Sequence, residues 1–180
     1  MDVKQMRQQL RIWMLADVFF PDTIGGAGRV ARELSRALAA RGHRVCVFSR
    51  NAGGRFKDEE KIEEGLFIKR FKVRRRGGIG ALVDELKNST AAIREGQKYS
   101  APDVFCIHQS LAGLGPMAAG LLKGKIVFHF FHSPWHEEYL IKNRGKKGSR
   151  AIRGLVAAAM RKIEHRVTDR ADRIVTISRY

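Results

Sequence analysis

The sequence predicts an α/β domain built on an open parallel β-sheet with helices on both faces. Three observations carry this. Short apolar runs alternate with segments of helical period along the chain. Several of those runs are apolar almost throughout, as strands covered on both faces are. The chain has 180 residues, 44% of them hydrophobic. It shows no internal repeat and no dividing linker, so it suits one domain with a real core.

The elements follow in order. Residues 1–10 are a polar lead-in. Residues 11–18, "RIWMLADV", form a buried strand followed by turn-formers. From Gly28 to Arg41, the residues Val30, Leu34, Ala37 and Leu38 fall on one helix face. Gly42 fits the left-handed position just past that helix. "RVCVFS" (44–49) is a second strand, and 50–65 read as an exposed, charged loop. "LFIKRFKV" (66–73) is a third strand, "RRRGGIG" (74–80) a flexible joint and 81–98 a helix. "APDVFCIH" (101–108) is a strand. "GPMAAGLLKG" (115–124) is a short helix with Pro116 in its first turn. "KIVFHFFH" (125–132) is a fifth strand, and 133–148 a loop rich in Lys, Arg and Gly. A long helix over 149–170 places Ile152, Leu155, Val156, Ala159, Ile163 and Val167 on one face. "DRIVTIS" (172–178) is the final strand.

Charge is the unusual feature of the composition. Lys plus Arg is 35 against 18 for Asp plus Glu, a formal net charge of +17. Such a field attracts nucleic acid, anionic lipid or phosphorylated ligands without choosing among them. Cys46 and Cys106 lie in apolar runs without metal-type spacing, which suggests buried thiols in a reducing compartment, the cytosol. No signal-peptide pattern opens the chain. Nothing approaches the ~18 apolar residues of a membrane span.

The segment "DVFFPDTIGGAGRV" (17–30) carries three glycines at the mouth of a helix. In an open parallel sheet, ligands bind at the carboxyl ends of the strands. Free N–H groups and the helix dipole make this position an anion site. The plain alternative is that the glycines only permit a tight turn. Gly26, Gly28 and Ala31 also match G-x-G-x-x-A, the dinucleotide fingerprint. Against it, "FFPDTIG" lengthens the loop, and the second strand ends in "SRN" (49–51), without the acid that holds a ribose. Arg50 suits a 2′-phosphate, which keeps an NADP-dependent oxidoreductase as an alternative. A P-loop is excluded, because no Gly-Lys-Ser/Thr follows.

"GGAGRVARELSRALAARGHRVCVFS" (25–49) resembles the opening of the retaining GT-B glycosyltransferases of family four. "PDVFCIHQS" (102–110) resembles that family's fourth strand, which ends in His. "IVFHFFHSPW" (126–135) resembles its fifth strand, and "EHRVTDRADRIVTISRY" (164–180) the stretch to the last strand of its first domain. The resemblance implies two Rossmann-like domains with the active site between them. This chain corresponds to the first, acceptor-side domain. The second domain, which grips most of the nucleotide sugar and carries a Glu-x7-Glu motif, is expected to be absent. The isolated chain is therefore expected to be inactive. The implied reaction transfers a hexose to a glycan or lipid-linked acceptor. It proceeds on one face of the sugar, with the leaving diphosphate helping to take the acceptor proton.

The resemblance places Gly25 and Gly26 beside the donor diphosphate and the acceptor. It matches His132 to the family histidine that touches the transferred sugar; a strand-end histidine satisfied by backbone is the structural alternative. His108 ends the preceding strand on the same expected edge. Asp22 and Thr23 lie in the first loop, within expected reach of an acceptor hydroxyl. Trp135 and Tyr139 line an acceptor pocket or pack the loop. His129, His132 and His136 do not make a metal site on this reading, since strand alternation sends the first two to opposite faces. No metal and no tightly held cofactor are expected, the nucleotide sugar being a cosubstrate. Basic residues gather at 69–76 and 142–170, and they suit an anionic membrane surface at the cytoplasmic face. Nucleic-acid binding is the rival use of that charge. No base-reading motif supports it, and the aromatics are not interleaved with the basic runs.

Overall fold

The computed structural model describes residues 8–22, 25–51, 54–73, 78–145 and 149–176. The elements are β1 (Arg11–Ala16), α1 (Gly26–Ala40), β2 (Arg44–Asn51), β3 (Glu59–Glu63), β4 (Leu66–Lys72) and α2 (Gly78–Tyr99). They continue as β5 (Val104–Ile107), α3 (Ser110–Ala118), β6 (Ile126–Phe131), α4 (Trp135–Lys142), α5 (Arg150–Thr168) and β7 (Arg173–Thr176). One seven-stranded sheet runs in the order β3-β4-β2-β1-β5-β6-β7. Every pairing is parallel except β3 with β4.

Alternation along β1 explains why both faces must be covered. Ile12, Met14 and Ala16 enter one core layer, beneath α1, with Phe19, Ala31, Val45 and Ile68. Trp13 and Leu15 enter the other, beneath α2, α3 and α5, with Phe48, Ile93, Phe105, Ile107 and Val167. Each large apolar side chain so buried stabilises the fold by about 1.5–3 kcal/mol. The helix α1 presses closely on the loop before it. A Cβ at Gly28 would lie 3.4 Å from the backbone nitrogen of Phe20, so glycine is what permits that approach. Gly42 takes the left-handed conformation expected of it, with φ at 89°.

Several elements differ from their sequence expectation. The charged loop of 50–65 contains β3, whose Glu59 and Lys61 face Lys69 and Phe67 of β4 across the antiparallel ladder. An exposed edge strand carries charge rather than apolar alternation, so no strand pattern is visible there. The helix expected at 115–124 is α3, which starts at Ser110 and holds Pro116 inside it. Its glycines read as breakers, yet they allow contact: a Cβ at Gly115 would stand 2.7 Å from the Leu86 carbonyl oxygen of α2. The loop of 133–148 contains α4. In α5 the buried side is turned toward Ala157, Glu164 and Val167. Ile152 and Leu155 are left outside, 62% and 72% exposed. Part of the flexible joint (74–77) and the end of the final strand (177–178) lie outside the described residues.

The loop after β1 is pinned to β4 by a buried ion pair. Arg70 Nε and Nη2 donate to the two carboxylate oxygens of Asp22 at 2.5 and 3.1 Å. Both side chains are almost wholly buried, at 2% and 1% exposure. Arg70 Nη1 also donates to the Lys57 carbonyl at 2.8 Å and to Glu60 at 3.1 Å. Removing one member of such a pair leaves a buried charge uncompensated. Asp22→Ala should therefore lower unfolding free energy by about 3 kcal/mol, read by urea denaturation. The double change Asp22→Leu with Arg70→Met should lose clearly less. Equal losses would contradict the burial of the pair.

Candidate functional site

The connections from β1 through α1 and β2 fill one side of the sheet. Those entering β5 and continuing to β6 and β7 fill the other. Between β1 and β5 the two sets diverge, and a crevice opens at their carboxyl ends. A cavity of about 240 Å³ lies there, lined among others by Asp17, Ala27, His108, Gln109, His132 and Trp135. Asp17 follows β1 directly, and His108 and Gln109 follow β5. Ala27 belongs to the first turn of α1, and His132 follows β6.

The register between β5 and β6 sets Ile107 beside His129, which brings the next pair, His108 and Phe130, ring to ring. Their centroids are 4.6 Å apart and their planes 5° from parallel. His108 Nδ1 then meets His132 Nε2 at 3.2 Å. His129 also lines the cavity, but its hydrogen-bonding partners are different. Its Nε2 lies 3.4 Å from Ser110 Oγ and its Nδ1 lies 3.2 Å from Thr168 Oγ1. His136 belongs to a third set: Glu164 accepts from the Trp135 backbone N–H at 2.5 Å and contacts His136 Nδ1 at 2.5 Å. The histidines at 129, 132 and 136 thus have separate partners. Among the described residues, no three metal-ligating side chains converge.

Burial shapes the electrostatics of the crevice. It pushes the imidazolium of His108 down to about 3, and His132 and His129 oppose its charge as well. Burial also lowers His129, with Glu164 acting in the opposite sense. His132 is lowered by burial, with Glu138 acting against it. The three rings are therefore neutral near pH 7 and able to both donate and accept. Asp17 is shifted well above the usual carboxylate range, chiefly by burial, then by Glu85, with Arg50 acting in the opposite sense. Buried nitrogens or oxygens of Asp17, His108, Gln109 and His132 have no partner among the described residues. A lining of this kind offers a neutral, hydrogen-bonding ligand a set of unmet partners.

The sequence-predicted residues distribute unevenly around this crevice. His108, His132 and Trp135 line it together. Gly25 and Gly26 are exposed at the first turn of α1, next to the lining residue Ala27. Among the described residues no side chain caps that helix end. Among the same residues a Cβ on either glycine would meet nothing within 4 Å, Gly25 is extended with φ at 170°, and neither glycine takes the left-handed conformation. Neither packing nor turn geometry therefore requires glycine at these two positions. Asp22 sits elsewhere: both its oxygens are bound by Arg70, and it is not among the residues of the crevice. Its carboxylate anchors the loop rather than facing a ligand. Thr23 lies outside the described residues.

Sequence reasoning missed Asp17, Gln109 and Glu164. The first two carry a positional signal, since each stands within two residues of a strand's carboxyl end. Glu164 is a lone acid inside the basic run "RKIEHR", and that isolation is its only trace in the sequence. The basic stretch 69–76 also reads differently in three dimensions. Lys69 pairs with Glu59 at 2.7 Å, Arg70 with Asp22, and Lys72 with Asp58 at 2.9 Å. These cations are neutralised within the domain, and Arg74, Arg75 and Arg76 lie outside the described residues. Arg50, the candidate for a 2′-phosphate, is 3.6 Å from the buried carboxylate of Glu85.

The sequence profile of glycosyltransferase family 4 matches residues 24–180. No curated protein sequence matches the chain. Among solved structures, sucrose-phosphate synthase from Thermosynechococcus elongatus superposes with a TM-score of 0.70 at 17% identity. That match covers 92% of this chain and 42% of the synthase chain. The catalytic domain of starch synthase IV from Arabidopsis thaliana, bound to ADP and acarbose, gives 0.53 at 17% identity, over 68% of this chain and 34% of that one. Os79 from O. sativa, in complex with UDP and deoxynivalenol-3-glucoside, gives 0.56 at 12% identity, over 93% and 47%. The chain thus spans less than half the length of each of these structures, and it shares their GT-B-type α/β fold.

The raised Asp17 carboxyl makes a pH-dependent claim. The native state favours its acid form, so that contribution to stability is complete below the unfolded value of about 3.9. It is lost as pH rises through the raised native value. Asp17→Asn fixes a neutral side chain. The variant should be more stable than the parent at pH 8, with the difference closing toward pH 4, measured by thermal unfolding across that range. A difference independent of pH would contradict the assignment.

Proposed function

The chain belongs to glycosyltransferase family 4, and on that premise we propose that it is the amino-terminal, acceptor-side domain of a retaining, nucleotide-sugar-dependent hexosyltransferase. A glycan or lipid-linked sugar is the acceptor. A second domain supplies the main grip on the donor. The observation that carries this reading is the pairing of two open glycines with a neutral imidazole crevice. Gly25 and Gly26 lie bare at the positive end of α1, and Ala27 beside them shares a cavity with His132.

The chemistry divides between the two parts of the site. First-turn amides and the α1 dipole favour the anionic diphosphate, which can approach because no side chain intervenes. Arg29 and Arg32, stacked at 5.5 and 5.0 Å on the Phe20 ring, add positive potential beside that turn. The uncharged crevice favours hydroxyl groups of a sugar over a second anion. His132 serves there as the hydrogen-bonding contact to the transferred sugar, and Trp135 forms a wall for the acceptor. The domain thus contributes positioning and charge stabilisation. ADP and UDP in the structures sharing this fold support a nucleotide sugar as donor.

A membrane-proximal acceptor is supported by the surface of α4 and α5. Leu140, Ile141, Ile152 and Leu155 are 42%, 72%, 62% and 72% exposed. Lys142, Arg144 and Arg150 stand next to them in the chain. Apolar side chains set among cations suit an anionic leaflet, at about 1 kcal/mol per cation. Among the described residues no helix is long and apolar enough to cross a membrane.

Two measurements test this function. In the enzyme carrying both domains, Gly26→Val should lower the transfer rate about 100-fold while changing stability by no more than about 0.5 kcal/mol. Unchanged transfer would remove the glycine turn from the site, and robust turnover by the 180-residue chain alone would remove the need for a second domain. The 180-residue chain should also sediment with vesicles containing anionic lipid and not with neutral ones. Ile152→Asp with Leu155→Asp should weaken that binding at least tenfold. Equal binding to neutral vesicles would overturn the membrane reading.

A further inference from the structure

His108 is held in place by the sheet itself. Its ring is 2% exposed, is stacked on Phe130, and follows a backbone N–H that donates to the Leu15 carbonyl at 2.9 Å. Among the described residues its Nδ1 meets one side chain, His132, at 3.2 Å. We propose that His108 is the positioning residue of His132: it accepts the proton carried on His132 Nε2, and so leaves His132 Nδ1 as a bare acceptor for a ligand hydroxyl. The proposal rests on the reading of His132 as the contact to the transferred sugar.

Two neutral imidazoles hold two protons on four nitrogens, and a hydrogen bond between Nδ1 and Nε2 needs one proton on that line. If His132 donates, both rings carry their proton on Nε2. If His108 donates, both carry it on Nδ1. Each arrangement leaves one N–H and one lone pair without a partner, on His108 Nε2 and His132 Nδ1. Satisfaction of the outer nitrogens therefore does not separate them. With both rings in the Nε2–H form, the commoner one of a free neutral imidazole, His132 is the donor. That choice sets what His132 recognises, since a ring nitrogen with a lone pair binds a hydroxyl as donor. The charged and titratable groups around the pair are His129 on β6, Glu138 on α4, Glu164 on α5 and Asp17 after β1. Burial keeps both rings neutral, at His132 against the opposing influence of Glu138.

Nitrogen-15 long-range correlation spectra of the histidine-labelled chain read the tautomer directly. At pH 7 the wild-type spectrum should show His132 protonated on Nε2 and bare on Nδ1. His108→Asn, whose amide reaches the place of Nδ1, should keep that pattern. His108→Phe keeps the stacked ring but removes the acceptor. There His132 should exchange between tautomers, with no fixed proton on Nε2. Backbone amide spectra report whether each variant is folded. Should the phenylalanine variant fail to fold, the wild-type tautomer and the asparagine variant still decide the matter. A wild-type His132 protonated on Nδ1, or a His132 spectrum unchanged in His108→Phe, would overturn the proposal. Loss of transfer in a His132→Ala enzyme tests the separate reading of His132 itself, and neither result depends on the other.

Discussion

A central strand from which successive connections leave in opposite directions cannot be roofed at its carboxyl end. That constraint governs this domain. β1 is paired in parallel with β2 on one side and β5 on the other. The chain fills the β2 side first and is carried back by α2 before it enters β5. The residues that follow β1, β5 and β6 are thereby gathered around one opening, although they are far apart in sequence. Asp17, His108 and His132 owe their proximity to topology rather than to any local motif.

Two kinds of chemistry meet at that opening, and the backbone keeps them apart. The α1 end is electropositive and free of side chains at Gly25 and Gly26. The β5–β6 end is a cluster of imidazoles whose burial holds them neutral. An anion and a hydroxylated ring can therefore sit side by side without competing for the same groups. The loop that leads from β1 into α1 is held by the Asp22–Arg70 pair, so the position of the glycine turn depends on a buried ion pair to β4.

Much of this was legible in the sequence. The strand runs read at 11–18, 44–49 and 66–73 and the helix at 28–41 are apolar patterns with clear punctuation that fall on β1, β2, β4 and α1, and their local preference agrees with their tertiary setting. The placing of the glycine turn and His132 at the carboxyl edge of the sheet was legible because both follow apolar strand runs. What stayed hidden was set by partners distant in the chain. Asp22 reads as a free loop carboxylate until Arg70, brought alongside by β4, takes both its oxygens. β3 carries charges because it is an edge. Ile152 and Leu155 share a helical face with Val167 in projection. The packing of α5 is instead decided by Ala157 and Glu164, and Glu164 must reach the Trp135 amide.

The central claim is that the first turn of α1 and the imidazole crevice form one wall of a sugar-transfer site. A crystal structure of the two-domain enzyme with a nucleotide sugar tests it most directly. The account predicts the diphosphate against the backbone amides of Gly25 and Gly26, with a hydroxyl of the transferred sugar within hydrogen-bond distance of His132. A donor seated away from the β1–β5 opening, such as in the groove lined by Trp13, Phe67 and Tyr99, would contradict it.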